Sequence, residues 1–154
     1  MWTVQHCIGT AIAFSKEIEA DIAFCESGAQ MACILVIDDD PDIRGLLSTY
    51  FQGRGHQVIS AEDGAHGIGM AVQRRPDVVI LDVDMPVLDG HSTMRVMQND
   101  PQMSAIPVVV LTAHHNPRIQ ETMRAAGCAD YVSKPFDLAH LDRAVSNSIE
   151  AGRA

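Results

Sequence analysis

Val78-Val79-Ile80-Leu81-Asp82-Val83-Asp84-Met85-Pro86 decides how this chain reads. Four branched apolar residues in a row predict a short strand buried on both faces, as in a parallel sheet. The run ends on Asp82 and enters a turn. A carboxylate therefore stands at the C-terminal end of a strand, where open parallel sheets gather their chemistry. Other runs end in the same way. Ile34-Leu35-Val36-Ile37 leads into Asp38-Asp39-Asp40, Val108-Val109-Val110-Leu111 into Thr112, and Tyr131-Val132-Ser133 into Lys134-Pro135. An acidic pair, a lone Asp, a hydroxyl and an ammonium are thus expected along one sheet edge. That set suits phosphate carried on a carboxylate beside a hard metal ion.

From Cys33 onward, strand and helix patterns alternate. The spacing predicts a strand over 33–37, then a helix capped by Asp40 with Pro41 at its first position. Ile43, Leu46, Leu47, Tyr50 and Phe51 form the helix's apolar stripe. A strand follows over 57–60, then a helix over 63–74 that Gly64, Gly67 and Gly69 weaken. The third strand spans about 77–81, the next helix 90–99, and the fourth strand 106–111. Pro117 opens another helix, which Gly127 stops. Tyr131–Ser133 is the fifth strand, and Asp137 caps a last helix with Leu138, Leu141, Val145 and Ile149 facing inward. Five βα units imply a doubly wound α/β fold, a parallel sheet with helices on both faces. The expected strand order is the flavodoxin-like 2-1-3-4-5. Strands 1 and 3 are then neighbours at a switch point that receives Asp38, Asp39 and Asp82 together.

Residues 1–30 lack this rhythm. Ile8, Ile12, Ile18 and Ile22 fall roughly on one helical face, so the segment reads as one short amphipathic helix or as a mobile extension. Residues 31–154 are expected to hold the domain, with no output domain expected after Lys134. A net charge of -9 argues against unaided contact with nucleic acid. Cys7, Cys25, Cys33 and Cys128 have no metal or disulfide spacing, and no apolar stretch reaches membrane-spanning length. The expectation is a cytoplasmic protein with reduced thiols and no membrane contact.

Three converging carboxylates repel one another, and a dipositive, oxygen-seeking ion relieves that repulsion; Mg²⁺ suits such a set. Asp82 is the candidate nucleophile toward phosphorus. Thr112 offers a hydroxyl to a phosphoryl oxygen. Lys134 carries more weight, because the chain has only two lysines, Lys16 and Lys134. It is expected to pair with a carboxylate at rest and with the phosphoryl group after transfer. A cis Lys134–Pro135 bond would aim it. His114-His115 also admits a metal or phosphohistidine reading, although adjacent side chains in a loop rarely converge on one ion.

These motifs taken together resemble the receiver domains of two-component response regulators, the chemotaxis-type single-domain kind. The resemblance runs from Met31 to about Ala151. It rests on Asp38-Asp39 after strand 1, Leu81-Asp82 with Met85-Pro86 after strand 3, Thr112 after strand 4 and Lys134-Pro135 after strand 5. It implies a phosphoacceptor that catalyses at most its own phosphorylation and dephosphorylation. Asp82 would receive phosphate from the phosphohistidine of a sensor histidine kinase or histidine phosphotransfer protein. Mg²⁺ would lie between Asp38, Asp39, Asp82 and the backbone carbonyl of Asp84. Thr112 and Lys134 would bind phosphoryl oxygens, and Tyr131 matches an aromatic switch that turns inward as Thr112 moves. Helix 4, strand 5 and helix 5 would present the changed surface to a downstream protein. Asp84 and His114 occupy positions that influence phosphate lifetime.

Two rival readings remain. Asp82-Val83-Asp84 resembles the D-x-D pair of haloacid-dehalogenase-type phosphohydrolases, but there the second acidic pair follows the Lys, whereas Asp38-Asp39 precede the nucleophile here. The other rival is a receiver-like binding module that works without phosphorylation, against which stands a complete set of phosphorylation residues.

Overall fold

The computed structural model describes residues 31–85 and 89–153, where strands and helices alternate. The elements are β1 (Cys33–Ile37), α1 (Pro41–Gln52), β2 (Gln57–Ala61), α2 (Gly64–Arg74) and β3 (Val78–Asp82), followed by α3 (Gly90–Asn99), β4 (Val108–Thr112), α4 (Pro117–Ala125), β5 (Asp130–Ser133) and α5 (Leu138–Arg153). The strands are parallel and ordered β2-β1-β3-β4-β5, the expected flavodoxin-like arrangement. Ile37 lies beside Leu81 in the sheet. The residues that follow them, Asp38 and Asp82, therefore leave the sheet side by side.

β3 and β4 are buried along their whole length, so alternate side chains feed two cores. On one face Leu35, Ile37, Val79, Leu81 and Val110 meet Met94, Met97 and Met123. On the other, Ile34, Val36, Ile80 and Leu111 meet Leu47, Phe51, Leu141 and Val145. Each fully buried aliphatic side chain contributes roughly 1.5–3 kcal/mol.

Asp40 caps α1 as expected: its Oδ1 accepts from the Asp42 N–H at 2.9 Å, and Pro41 follows at the first helical position. Asp137 does the same for α5 through the Ala139 N–H at 3.0 Å. Asp89 and Asn116 cap α3 and α4, two caps that the sequence pattern does not single out.

Leu46 departs from the expected stripe of α1, with 46% of its surface exposed. At about 100° per residue it lies roughly 140° around the helix from Phe51, beyond the face that Leu47 and Phe51 bury. β4 begins at Val108 rather than Ile106. Pro107 has no N–H for the ladder and contributes only its carbonyl, which accepts from Val79 at 2.9 Å.

Two glycines permit close packing. A Cβ on Gly67 would lie 2.3 Å from Ile37 Cδ1, and one on Gly90 2.4 Å from Val83 Cα. These helices are therefore seated directly on β1 and on the turn after β3, at a cost in helix propensity of up to about 1 kcal/mol per glycine. The Lys134–Pro135 bond is cis, as anticipated.

Cys33 and Cys128 are half-buried free thiols, and burial pushes both above the ordinary thiol range. No helix among the described residues is long and apolar enough to cross a membrane. The readings placed on residues 1–30 and on Pro86 lie outside the described residues.

Candidate functional site

Asp38 is buried just past β1, and each of its polar groups has a partner. Its N–H donates to the Ala61 carbonyl at 3.2 Å. Its Oδ1 accepts from the Asp40 N–H at 2.9 Å, and its backbone oxygen accepts from Arg44 Nη1 at 2.6 Å. Its Oδ2 lies 3.4 Å from Lys134 Nζ. Burial pushes the Asp38 carboxyl up to about 6. The Asp40 N–H opposes that rise, the Asp82 charge adds to it, and Lys134 offsets part of it.

Asp82 ends β3 and is likewise buried. Its Oδ1 accepts from the Asp84 N–H at 2.9 Å, and its Oδ2 stands 3.2 Å from Lys134 Nζ. Asp39 is exposed. Asp38, Asp39 and Asp82 each present one carboxylate oxygen, and these oxygens lie within 4.8 Å of one another. Among the described residues they are the acidic, thiol or imidazole groups that gather closely enough to hold a metal ion. His114 and His115 take no part.

One ammonium cannot balance three carboxylates, so the cluster retains an excess of negative charge. Its oxygen-only donors and partial exposure fit a small hard dication that keeps several waters, the preference of Mg²⁺.

Lys134 is held by its backbone, whose N–H donates to the Thr112 carbonyl at 2.7 Å. Burial works to lower its ammonium, but Asp38 and Asp82 outweigh burial and raise it, so it stays charged. Thr112 is fully buried. Its Oγ1 accepts from the His114 N–H at 3.1 Å, which leaves the hydroxyl proton to donate elsewhere.

Asp84 and His114, singled out separately in the sequence, touch each other. His114 Nε2 lies 3.3 Å from Asp84 Oδ1, and Asp84 Oδ2 accepts from the Ala113 N–H at 2.9 Å. The turn after β3 is thus tied to the loop after β4. The Tyr131 hydroxyl donates to the backbone oxygen of His114, while its ring packs partly against the core. The pairing of Asp84 with His114 was not legible in the sequence, nor was the contact of Arg44. The spacing of Arg44, six residues after Asp38 and inside α1, was the available signal for the latter.

Residues 34–146 match the family model described as the response regulator receiver domain. Protein PilH of Pseudomonas aeruginosa is 37% identical over 122 residues, covering 79% of this chain and 100% of PilH. The transcriptional regulatory protein PrrA of Mycobacterium tuberculosis is 39% identical over 119 residues, covering 75% of this chain, but there the chain spans only 49% of the relative. Among solved structures, the chemotaxis protein CheY4 of Vibrio cholerae superposes with a TM-score of 0.73 at 30% identity, covering 77% of this chain and 99% of CheY4. The receiver domain of the P. aeruginosa sensor histidine kinase PA1611, which has a magnesium ion coordinated in its active-site cleft, gives 0.72 at 29% identity, covering 79% of this chain and 99% of its own.

Proposed function

The chain belongs to the response regulator receiver domain family, and from that premise we propose that Asp82 is the acceptor in a phosphoryl transfer from a histidine. A carboxylate oxygen of Asp82 forms a bond to phosphorus as the phosphorus–nitrogen bond of a phosphohistidine breaks. The imidazole of the donor keeps the electron pair and takes up a proton, and Asp82 becomes an acyl phosphate. The donor is a sensor histidine kinase or a histidine phosphotransfer protein.

The observation that carries this reading is Lys134 Nζ at 3.2 Å from Asp82 and 3.4 Å from Asp38, beside three converging carboxylate oxygens. Asp38, Asp39 and Asp82, with the backbone carbonyl of Asp84, would hold Mg²⁺. Bound there, the ion supplies positive charge that offsets the oxyanions of the transferring group. Lys134 holds one phosphoryl oxygen by charge, and the Thr112 hydroxyl donates to another. Drawing Thr112 inward makes room for the Tyr131 ring, and the face of α4, β5 and α5 then differs for a protein partner. Two packings a few kcal/mol apart suffice for such a switch.

The protein should be incubated with Mg²⁺ and a small phosphodonor and then weighed intact. Wild type is expected to gain and retain one hydroxylamine-labile phosphoryl group, and Asp82→Asn almost none. Equal labelling of both proteins would overturn the assignment. Continuous release of phosphate from many substrates would instead indicate a hydrolase, and no labelling of wild type a binding module that works without phosphate.

A further inference from the structure

Asp39 is the least supported of the three clustered carboxylates. Asp38 and Asp82 are buried and bonded to backbone N–H groups and to Lys134, whereas Asp39 is exposed. Its direction therefore depends on the peptide that joins it to Asp38. That peptide is planar, so fixing its oxygen also fixes the nitrogen from which Asp39 starts. The oxygen is held by Arg44 Nη1 at 2.6 Å.

Arg44 is costly where it stands. Its own N–H bonds to the Asp40 carbonyl at 3.1 Å, which places it in the first turn of α1. A cation there faces the positive end of the helix dipole. It also sits next to a cluster that fits a dication. Its partner is a backbone oxygen rather than a carboxylate, so ion pairing does not account for the placement. Geometry does.

We infer that Arg44 is a positioning residue: it clamps the Asp38–Asp39 peptide and thereby aims the Asp39 carboxylate into the metal cluster. This rests on reading that cluster as a Mg²⁺ site. Outer partners of metal ligands commonly change affinity by about 10–100-fold when removed.

The test is Mg²⁺ affinity, titrated for wild type, Arg44→Ala and Arg44→Lys, with melting temperatures measured alongside. Arg44→Ala is expected to weaken Mg²⁺ by about tenfold. Arg44→Lys keeps the charge but loses the planar fork, so it should weaken binding to a smaller extent, and it carries the comparison if the alanine variant does not fold. In an Asp39→Ala background the Arg44 change should add nothing, because its effect runs through Asp39. A purely electrostatic role predicts the opposite sign, with tighter Mg²⁺ binding once the cation is removed. A purely structural role predicts a lower melting temperature at unchanged affinity. Either outcome, or an equal effect in the Asp39→Ala background, overturns the inference. A wild type that binds no Mg²⁺ overturns the metal reading and the inference with it, whereas a binding wild type with unchanged variants overturns the inference alone.

Discussion

The Tyr131 hydroxyl donates to the backbone oxygen of His114, which tethers the aromatic ring of β5 to the loop leaving β4. The same His114 donates its N–H to Thr112 Oγ1 and sets its imidazole against Asp84. One residue thus touches the Thr112 hydroxyl, the turn after Asp82 and the Tyr131 side chain.

Thr112→Ala should separate phosphorylation from its consequence. Asp82 should still accept phosphate, because its charge partners remain, while the α4, β5 and α5 face stays largely unchanged. Hydrogen exchange with and without a stable phosphate mimic reads this. Wild type should show altered protection over residues 116–150 and Thr112→Ala little. Changes in wild type limited to residues 38–90 would refute the output face and leave phosphorylation standing.

Asp39 and Asp40 are neighbours with different expected roles. Asp40→Ala removes the cap of α1 and should cost ~0.5–2 kcal/mol in denaturant unfolding with little change in Mg²⁺ affinity. Asp39→Ala should weaken Mg²⁺ with little loss of stability, since Asp39 is exposed. The reverse pattern would place the metal one residue along the chain.

Asp38 should make metal binding depend on pH. Its folded-state carboxyl is raised from 3.8 to about 6, so the metal-free fold disfavours the ionised form. The Asp38 contribution to stability is therefore fully present below pH 3.8 and is lost as pH rises through about 6. Mg²⁺ competes with that proton, so affinity should climb between pH 5 and 7 by about one proton's worth and then level off. Lys134, raised above its ordinary value, stays charged across this range. Calorimetric titrations at several pH values check the slope, which Asp38→Asn should flatten.

Two glycines should respond to alanine with opposite signs. Gly90→Ala drives a Cβ to 2.4 Å from Val83 Cα and should destabilise by about 1–3 kcal/mol despite the better helix former. A Cβ on Gly69 would meet nothing within 4 Å, so Gly69→Ala should stabilise by up to about 1 kcal/mol. Urea unfolding of both variants decides; stabilisation by Gly90→Ala would mean that α3 is not seated on the turn.

The fold was legible because its strands are short, apolar and fully buried at the sheet's centre, and because most of them end in a chemically distinctive residue. Strand order alone then brings Asp38 beside Asp82, as the register of Ile37 with Leu81 shows. The contacts that escaped the sequence depend on side-chain reach rather than on pattern. Asp84 and Ala113 are far apart in the chain and meet only because β3 and β4 are adjacent. Arg44 turns back over its own helix end, where helical periodicity predicts only an intermediate position. Leu46 fits an apolar stripe by composition but lies outside the arc that the sheet covers.

The seat of Gly90 on Val83 also makes the surroundings of Asp82 mechanically lopsided. The Val83 N–H is bonded to the Leu111 carbonyl at 3.1 Å, and its oxygen takes the Gly90 N–H at 3.4 Å with no slack between the backbones. The α3 side of the turn is closely seated, while the loop after β4 is exposed and held by individual hydrogen bonds. Under the proposed phosphorylation of Asp82, the added group is therefore expected to be accommodated on the side of His114 and Tyr131 rather than at α3, a one-way lever rather than a uniformly softened domain.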